Sequence, residues 1–152
     1  MSHNQELLDS LSYIVTALSQ QADGHAVQSR IFASQGFSKL ADKYAEHAQE
    51  ERGYAEKIMD RILDLGGTLT NGAKEETPTY TKPLEWIAYD YEVSKSGIDY
   101  LKKIIDLAKD DLVTYDLLKD YYKDEEEDMY WGEQQLELVK VIGEQNWFAL
   151  FI

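Results

Sequence analysis

The chain has 152 residues, of which 43% are hydrophobic and 29% are charged, and its formal net charge is -14. This length suits one domain with its own core, and the absence of cysteine excludes disulfides and thiolate metal sites, so that carboxylates and three histidines are the available metal ligands. The acidic balance, without a basic tail, argues against nucleic-acid binding and favours cations as partners.

Two long helices are predicted in the first half of the chain. Apolar residues recur every three or four positions over 7–32 and predict the first helix, which the sequence SQG at 34–36 ends. The same spacing over 37–65 predicts the second helix, which ends at the two glycines of 66–67.

The middle of the chain is predicted to be a long connector. Both prolines, Pro78 and Pro83, fall within 66–83, and the helical pattern is interrupted there. A third helix is predicted over 84–108, and Pro83 suits its start because the fixed backbone angle of proline fits the first helical position.

A fourth helix and a short tail complete the chain. Asp110 or Asp111 can cap the start of the fourth helix, whose apolar positions continue to Ile142. Gly143 ends it, and the sequence EQNWFALFI predicts a short fifth helix over about 145–151. The apolar side chains of this tail could cap the end of the bundle or contact another subunit.

These elements predict an all-α fold. Two hairpins of long helices, joined by a crossover, make a four-helix bundle over about residues 4–142, within a single domain of residues 1–152. No apolar run approaches the roughly 20 residues of a membrane span. The N-terminal sequence MSHNQELLDS also lacks the basic-then-apolar layout of a signal peptide. We therefore expect a cytoplasmic protein that does not enter a membrane.

Polar residues interrupt all four apolar stripes near the middle of each helix, at compatible heights in an antiparallel bundle. Four carboxylates are predicted to face inward there, namely Glu51, Glu92, Glu125 and Asp128. Burying them together is prohibitive unless something neutralises them, and two divalent metal ions would cancel their charge. His25 and His47 also lie on the stripes, where a core histidine and a metal ligand are equally good interpretations.

The acidic run KDEEED at 123–128 has two interpretations. It could be a solvated face, as most charge runs in helices are. Alternatively, Glu125 and Asp128, at positions i and i+3, face inward while Glu126 and Glu127 face solvent. The polar interruptions at the middle of the other three helices favour the second interpretation.

Two long segments of the chain resemble bacterioferritin, a member of the ferritin-like superfamily. SRIFASQGFSKLADKYAEHAQEERGYAEKIMDRILDLGG is similar to the end of the first helix and all of the second in that family. LLKDYYKDEEEDMYWGEQQLELVKVIGEQNWFALFI is similar to the fourth and fifth helices, including the DEE sequence and the QN-aromatic entry to the fifth helix. The resemblance covers nearly the whole chain and implies a ferritin-like bundle with a long crossover.

The resemblance also implies a di-iron site, built from a glutamate on each of the first and third helices and Glu-x-x-His on each of the second and fourth. At these positions the chain keeps Glu51, Glu92 and Glu125. It departs at the other three, where Leu18, Tyr54 and Asp128 stand. His25 occupies the position of a tyrosine near the site and could supply a nitrogen ligand. Arg52 stands where the family has its haem-ligating methionine, so we do not expect haem.

The resemblance leaves two functions open. In the first, the protein binds and stores or detoxifies iron in a ferritin-like oligomer and oxidises Fe(II) at a rebuilt site whose carboxylates bridge the metal ions, whereas in the second the site holds a single metal ion or none. The site would comprise Glu51, Glu92, Glu125 and Asp128, helped by His25 or His47. In the second, it is a structural shell subunit or a metal-binding protein without ferroxidase activity. A DNA-protecting mini-ferritin is disfavoured by the net charge of -14.

Assembly is also implied by the resemblance rather than by the residues. The first choice is a homo-oligomeric cage of 24 subunits, with the fifth helix at the four-fold axis and a smaller oligomer or dimer as the fallback. Glu46 and Glu50, one turn apart on the second helix, would then form an acidic cavity wall that attracts iron.

Overall fold

The computed structural model describes residues 2–152, with side chains from residue 4 onward. Five α-helices follow one another along this part of the chain: α1 Ser2–Ser34, α2 Ser38–Asp64, α3 Pro83–Leu107, α4 Leu112–Ile142 and α5 Glu144–Ala149. The all-α prediction is confirmed, with four long helices and a short fifth one. The fifth helix begins and ends slightly earlier than predicted. Among residues 2–152, no helix combines the length and the apolar character that crossing a membrane would require.

Glycine ends three of the four long helices. Gly36, Gly66 and Gly143 follow α1, α2 and α4, and their φ angles are 88°, 81° and 81°. This left-handed backbone favours glycine because it has no Cβ to clash with the following carbonyl. The glycines in the sequence therefore marked the helix ends correctly.

The connector between α2 and α3 runs along the length of α1. Its first residues lie near the start of α1, where Gly67 packs against Leu8. Near its end, Tyr80 and Gln28 exchange two hydrogen bonds of 2.6 and 3.1 Å between the backbone of Tyr80 and the Gln28 side chain. The chain thus returns to the opposite end of the bundle before α3 begins, so α3 runs parallel to α2 and antiparallel to α1.

The apolar core has two parts, and polar side chains lie between them. One cluster joins residues such as Leu11 and Leu18 of α1 to Ile58 of α2. The other is aromatic, contains Phe32 and Tyr44, and includes Trp147 of α5. Two separate apolar clusters hold the long helices together on either side of the mid-helix positions, and this fixes the heights at which the polar residues meet.

The short fifth helix caps one end of the bundle within the subunit. Trp147 is fully buried, and its Nε1 donates a hydrogen bond of 3.2 Å to Gln135 Oε1. Leu150 and Ile152 are exposed. The capping interpretation of the tail therefore holds for Trp147, and a contact with another subunit through the exposed residues stays a prediction.

Asp111 caps the N-terminus of α4. Its carboxylate accepts hydrogen bonds from the backbone N–H of Thr114 at 3.2 Å and from the Thr114 hydroxyl at 2.7 Å. It also accepts one from Arg61 Nη2 of α2 at 2.8 Å. Burial alone would raise the pKa of Asp111, but the hydrogen bonds and the Arg61 charge hold it below its ordinary value of 3.8. Of the two capping residues that the sequence offered, the structure uses Asp111.

Asp111→Ala is expected to lower the free energy of unfolding by about 1–2 kcal/mol, since it removes a helix cap and an ion pair. A depressed pKa stabilises the fold above the unfolded value of 3.8, so the loss should be full at neutral pH and should shrink as the pH falls through the lower folded pKa. Urea titration at pH 7 and pH 3 would measure it. Asp110→Ala is the matched control because Asp110 is exposed and caps no helix. An equal loss in both variants would contradict this role of Asp111.

Candidate metal centre

His25 lies between carboxylates from two other helices, in the middle of the bundle. Its Nδ1 is 2.5 Å from Glu51 Oε1 of α2, and its Nε2 is 2.8 Å from Asp90 Oδ1 of α3. The residue is only 2% exposed. Burial alone would lower the pKa of His25, but the charges and hydrogen bonds of Asp90 and Glu51 raise it well above 6.5. The imidazolium form therefore joins α1, α2 and α3.

Two buried glutamates face each other across α2 and α4. Glu51 is 2% exposed and Glu125 is 4% exposed. Burial raises the pKa of Glu125 well above its ordinary value, and the charges of Glu51 and Asp128 add to this effect. Burial also raises the pKa of Glu51, to about 6, although His25 opposes the shift. Among the described residues, Glu51 Oε2 and Glu125 Oε1 have no hydrogen-bond partner, so these carboxylates are not fully satisfied by the protein.

The second histidine, His47, is buried and neutral. Its ring lies 5.6 Å from the ring of His25, and its Nε2 is 3.5 Å from Asp128 Oδ1 of α4. Burial lowers the pKa of His47 to about 3, and the charges of His25 and Lys43 act in the same direction. Its Nδ1 has no hydrogen-bond partner among the described residues. A neutral imidazole with a free nitrogen is the form that binds metals.

A second group of carboxylates lies in a groove between α2 and α4. Oxygen atoms of Glu50, Asp124 and Asp128 lie within 4.8 Å of one another. Burial and the neighbouring acids raise the pKa of Asp128 to about 8. The groove has a volume of about 390 Å³, and Glu46 and His47 also line it. The acids that the sequence predicted to face inward therefore lie in different places: Glu51 and Glu125 lie inside the bundle, and Asp128 lies at this groove.

The interior is also reached from the opposite side. A cavity of about 350 Å³ lies between α1 and α3, and His25, Asp90 and Glu125 line its inner part. The buried histidines and glutamates therefore lie between two openings, one on the α1–α3 side and one on the α2–α4 side.

The prediction that Glu92 faces the core is wrong. Its side chain is 68% exposed and lies 3.9 Å from Lys95 Nζ. The inward acid of α3 is Asp90, two residues earlier, because the buried stripe of α3 runs through Ile87, Asp90 and Ser94. The sequence interpretation missed Asp90, although the steps of three and four from Ile87 pass through it.

The profile of the ferritin-like domain family matches residues 9–142. The chain belongs to this family. The bacterial ferritin of Neisseria meningitidis serogroup B is 34% identical to it over 97% of both chains, and that of Pseudomonas aeruginosa is 33% identical over 97% of both. The bacterioferritin of Streptomyces coelicolor is 25% identical over the whole chain and 92% of that relative. The resemblance found in the sequence is confirmed.

Leu18, Tyr54 and Arg52 are three of the residues at which the chain departs from what the resemblance implies, and the structure shows their surroundings. Leu18 is buried in the apolar cluster of α1 and α2. Tyr54 packs its ring against Tyr121 at a centroid distance of 5.3 Å. Arg52 is half-exposed and pairs with Asp23 at 2.6 Å. At these positions the chain therefore has packing contacts and a surface ion pair.

Proposed function

We propose that this protein binds and stores iron in a ferritin-like oligomer, with an interior metal site formed by Glu51, Asp90, Glu125 and His47. The proposal is supported by three buried ligand atoms without a partner among the described residues, Glu51 Oε2, Glu125 Oε1 and His47 Nδ1. Leaving such atoms unsatisfied is unfavourable. Oxygen and imidazole nitrogen are suitable ligands for iron, manganese or zinc, so the donor set fits the cargo that the family implies.

In this site the carboxylates would hold the ion and neutralise its charge, and the neutral His47 would add a nitrogen. Among the described residues only Glu50, Asp124 and Asp128 bring three ligand atoms within 4.8 Å of one another, so the interior side chains would move together around the ion. His25 has a different role because both of its ring nitrogens already contact carboxylates. A divalent ion and the imidazolium of His25 would compete for Glu51 and Asp90. The carboxylates of the α2–α4 groove, with Glu46 and Glu50, would raise the local concentration of cations beside the interior site.

We also propose that the interior site oxidises Fe(II). Bound Fe(II) would give up electrons to dioxygen, while the protein would position the ions and limit their access to water. The second candidate is a ferritin-like shell subunit without this activity. One observation favours it: His25 already supplies a positive charge to Glu51 and Asp90 without any metal.

We also propose that the subunits form a homo-oligomeric cage of the ferritin type, with 24 copies as the first choice, in the cytoplasm. The exposed apolar side chains of Leu150 and Ile152 at the C-terminal end support a contact between subunits. Light scattering coupled to size-exclusion chromatography would measure the number of copies. A monomer at micromolar concentration would contradict this part of the proposal.

Anaerobic titration of the metal-free protein with Fe(II) is expected to show saturable binding of about one or two ions per subunit. Admission of air should then produce ferric absorbance faster than in buffer alone. Two bound ions and fast oxidation would support a working site in spite of Leu18, Tyr54 and Asp128. Binding without acceleration would favour the shell that stores iron without oxidising it. The absence of binding would contradict the proposed interior site.

A further inference from the structure

The cavity between α1 and α3 has a wall that a metal site alone does not explain. Its outer part is aromatic and includes the rings of Tyr13 and Tyr100, whose centroids are 4.9 Å apart. Tyr89 extends the wall and packs against Trp86 at 5.8 Å. The volume of about 350 Å³ is within the range of small-molecule sites. A metal ion would need only the inner end of this space, so the aromatic wall indicates a larger ligand.

The inner end of the cavity presents an unsatisfied acceptor. Glu125 is 4% exposed, and its Oε1 has no hydrogen-bond partner among the described residues. His25, beside it, cannot serve as that partner because Glu51 and Asp90 engage both of its ring nitrogens. A buried carboxylate oxygen without a donor favours a ligand that brings a positive charge and N–H groups.

Small residues of the two helices provide the space. Gly24 of α1 and Gly97 of α3 both line the cavity. A Cβ built on Gly97 would meet no atom within 4 Å, so the space beside it is open. The cavity therefore has an aromatic entrance and an inner end where Asp90 and Glu125 lie beside His25, whose charge Glu51 and Asp90 already balance. This pattern fits an ammonium group attached to an apolar body.

We propose that this cavity binds a primary arylalkyl amine, with its ammonium group at Glu125 and Asp90 and its ring packed against the paired rings of Tyr13 and Tyr100. The ammonium group would donate to the Glu125 carboxylate, whose Oε1 has no other donor among the described residues. The aromatic body would pack against the tyrosine rings. This binding goes beyond iron storage, and the amine would compete with a metal ion because Glu125 and Asp90 also belong to the proposed metal site.

The test is calorimetric titration of the full-length protein with 2-phenylethylamine in the presence of a metal chelator, with 2-phenylethanol as the neutral ligand of the same shape. The amine is expected to bind saturably. The alcohol should bind with an affinity at least about tenfold lower, because it cannot form the charge-assisted hydrogen bond. Glu125→Gln should remove this preference for the amine.

Gly97→Leu should weaken amine binding by about tenfold, since it fills the cavity and leaves the acidic end unchanged. Gly53→Leu is the matched control: Gly53 is also a helical glycine with open space around it, but it does not line this cavity. No amine binding, equal binding of amine and alcohol, or equal behaviour of the two leucine variants would each overturn the proposal. Because the chelator removes metal, none of these results would bear on iron binding.

Discussion

Replacing His25 with alanine is expected to lower the free energy of unfolding of the metal-free protein by roughly 3–5 kcal/mol at neutral pH. The imidazolium contacts Glu51 at 2.5 Å and Asp90 at 2.8 Å. Its removal leaves two carboxylates in the bundle interior without a partner, and an unpaired buried charge is much more unfavourable than the pair itself. Chemical denaturation of the chelator-treated protein would measure the loss.

The pH dependence of this loss distinguishes a charge effect from a packing effect. A histidine whose pKa is raised by folding stabilises the protein fully below its unfolded value of 6.5, and this stabilisation is lost as the pH rises through the higher folded value. On the acid side, the pair weakens as Glu51, with a pKa of about 6, becomes protonated. The difference between the parent and His25→Ala should therefore be largest between about pH 6 and 6.5 and should shrink as the pH rises through the folded pKa of His25.

His47→Ala is the matched control. His47 is equally buried, but it is neutral, and its nearest carboxylate, Asp128, is 3.5 Å away. Its replacement also leaves a cavity, so some stability will be lost, but without the pH profile expected for His25→Ala. If the two variants lost the same stability at every pH, the ion pairs of His25 would not stabilise the bundle and only the filled volume would matter.

Most of the fold could be predicted because its determinants are local. The apolar spacing within each helix and the glycines at 36, 66 and 143 depend only on nearby residues. Pro83 similarly marked the start of α3. The path of the connector along α1 could not be predicted in this way, because it depends on contacts such as those between Tyr80 and Gln28, which are far apart in the sequence.

The candidate site was predicted in part, and the failure has a simple geometric reason. Glu51 and Glu125 lie on stripes whose apolar neighbours fix the facing side. On α3 an acid stands on either side of Tyr91, at Asp90 and Glu92, and a shift of two residues rotates the side chain by about 200° around the helix. The pairing of His25 with two carboxylates depends on the relative heights of three helices, which a single sequence does not give.

Glu51→Gln combined with Glu125→Gln is expected to weaken metal binding inside the bundle by roughly 100-fold or more. Mutating a residue that only hydrogen-bonds to a metal ligand typically lowers metal affinity by about 10–100-fold, and here two ligands themselves are changed. Glutamine keeps the shape of the side chain and removes the charge, so packing should be retained. Anaerobic titration with Fe(II), repeated on the variant and the parent, would measure the change in affinity and in the number of ions bound.

Glu92→Gln combined with Glu126→Gln is the matched control for this pair. It removes the same number of charges from α3 and α4, but Glu92 is exposed, and Glu126 is the less buried neighbour of Glu125. Fe(II) binding in this control should match the parent, which would also establish that the inward acid of α3 is not Glu92. If instead the Glu51 and Glu125 variant still bound Fe(II) as tightly as the control, the ions would lie outside the bundle interior. The groove of Glu50, Asp124 and Asp128 would then be their site.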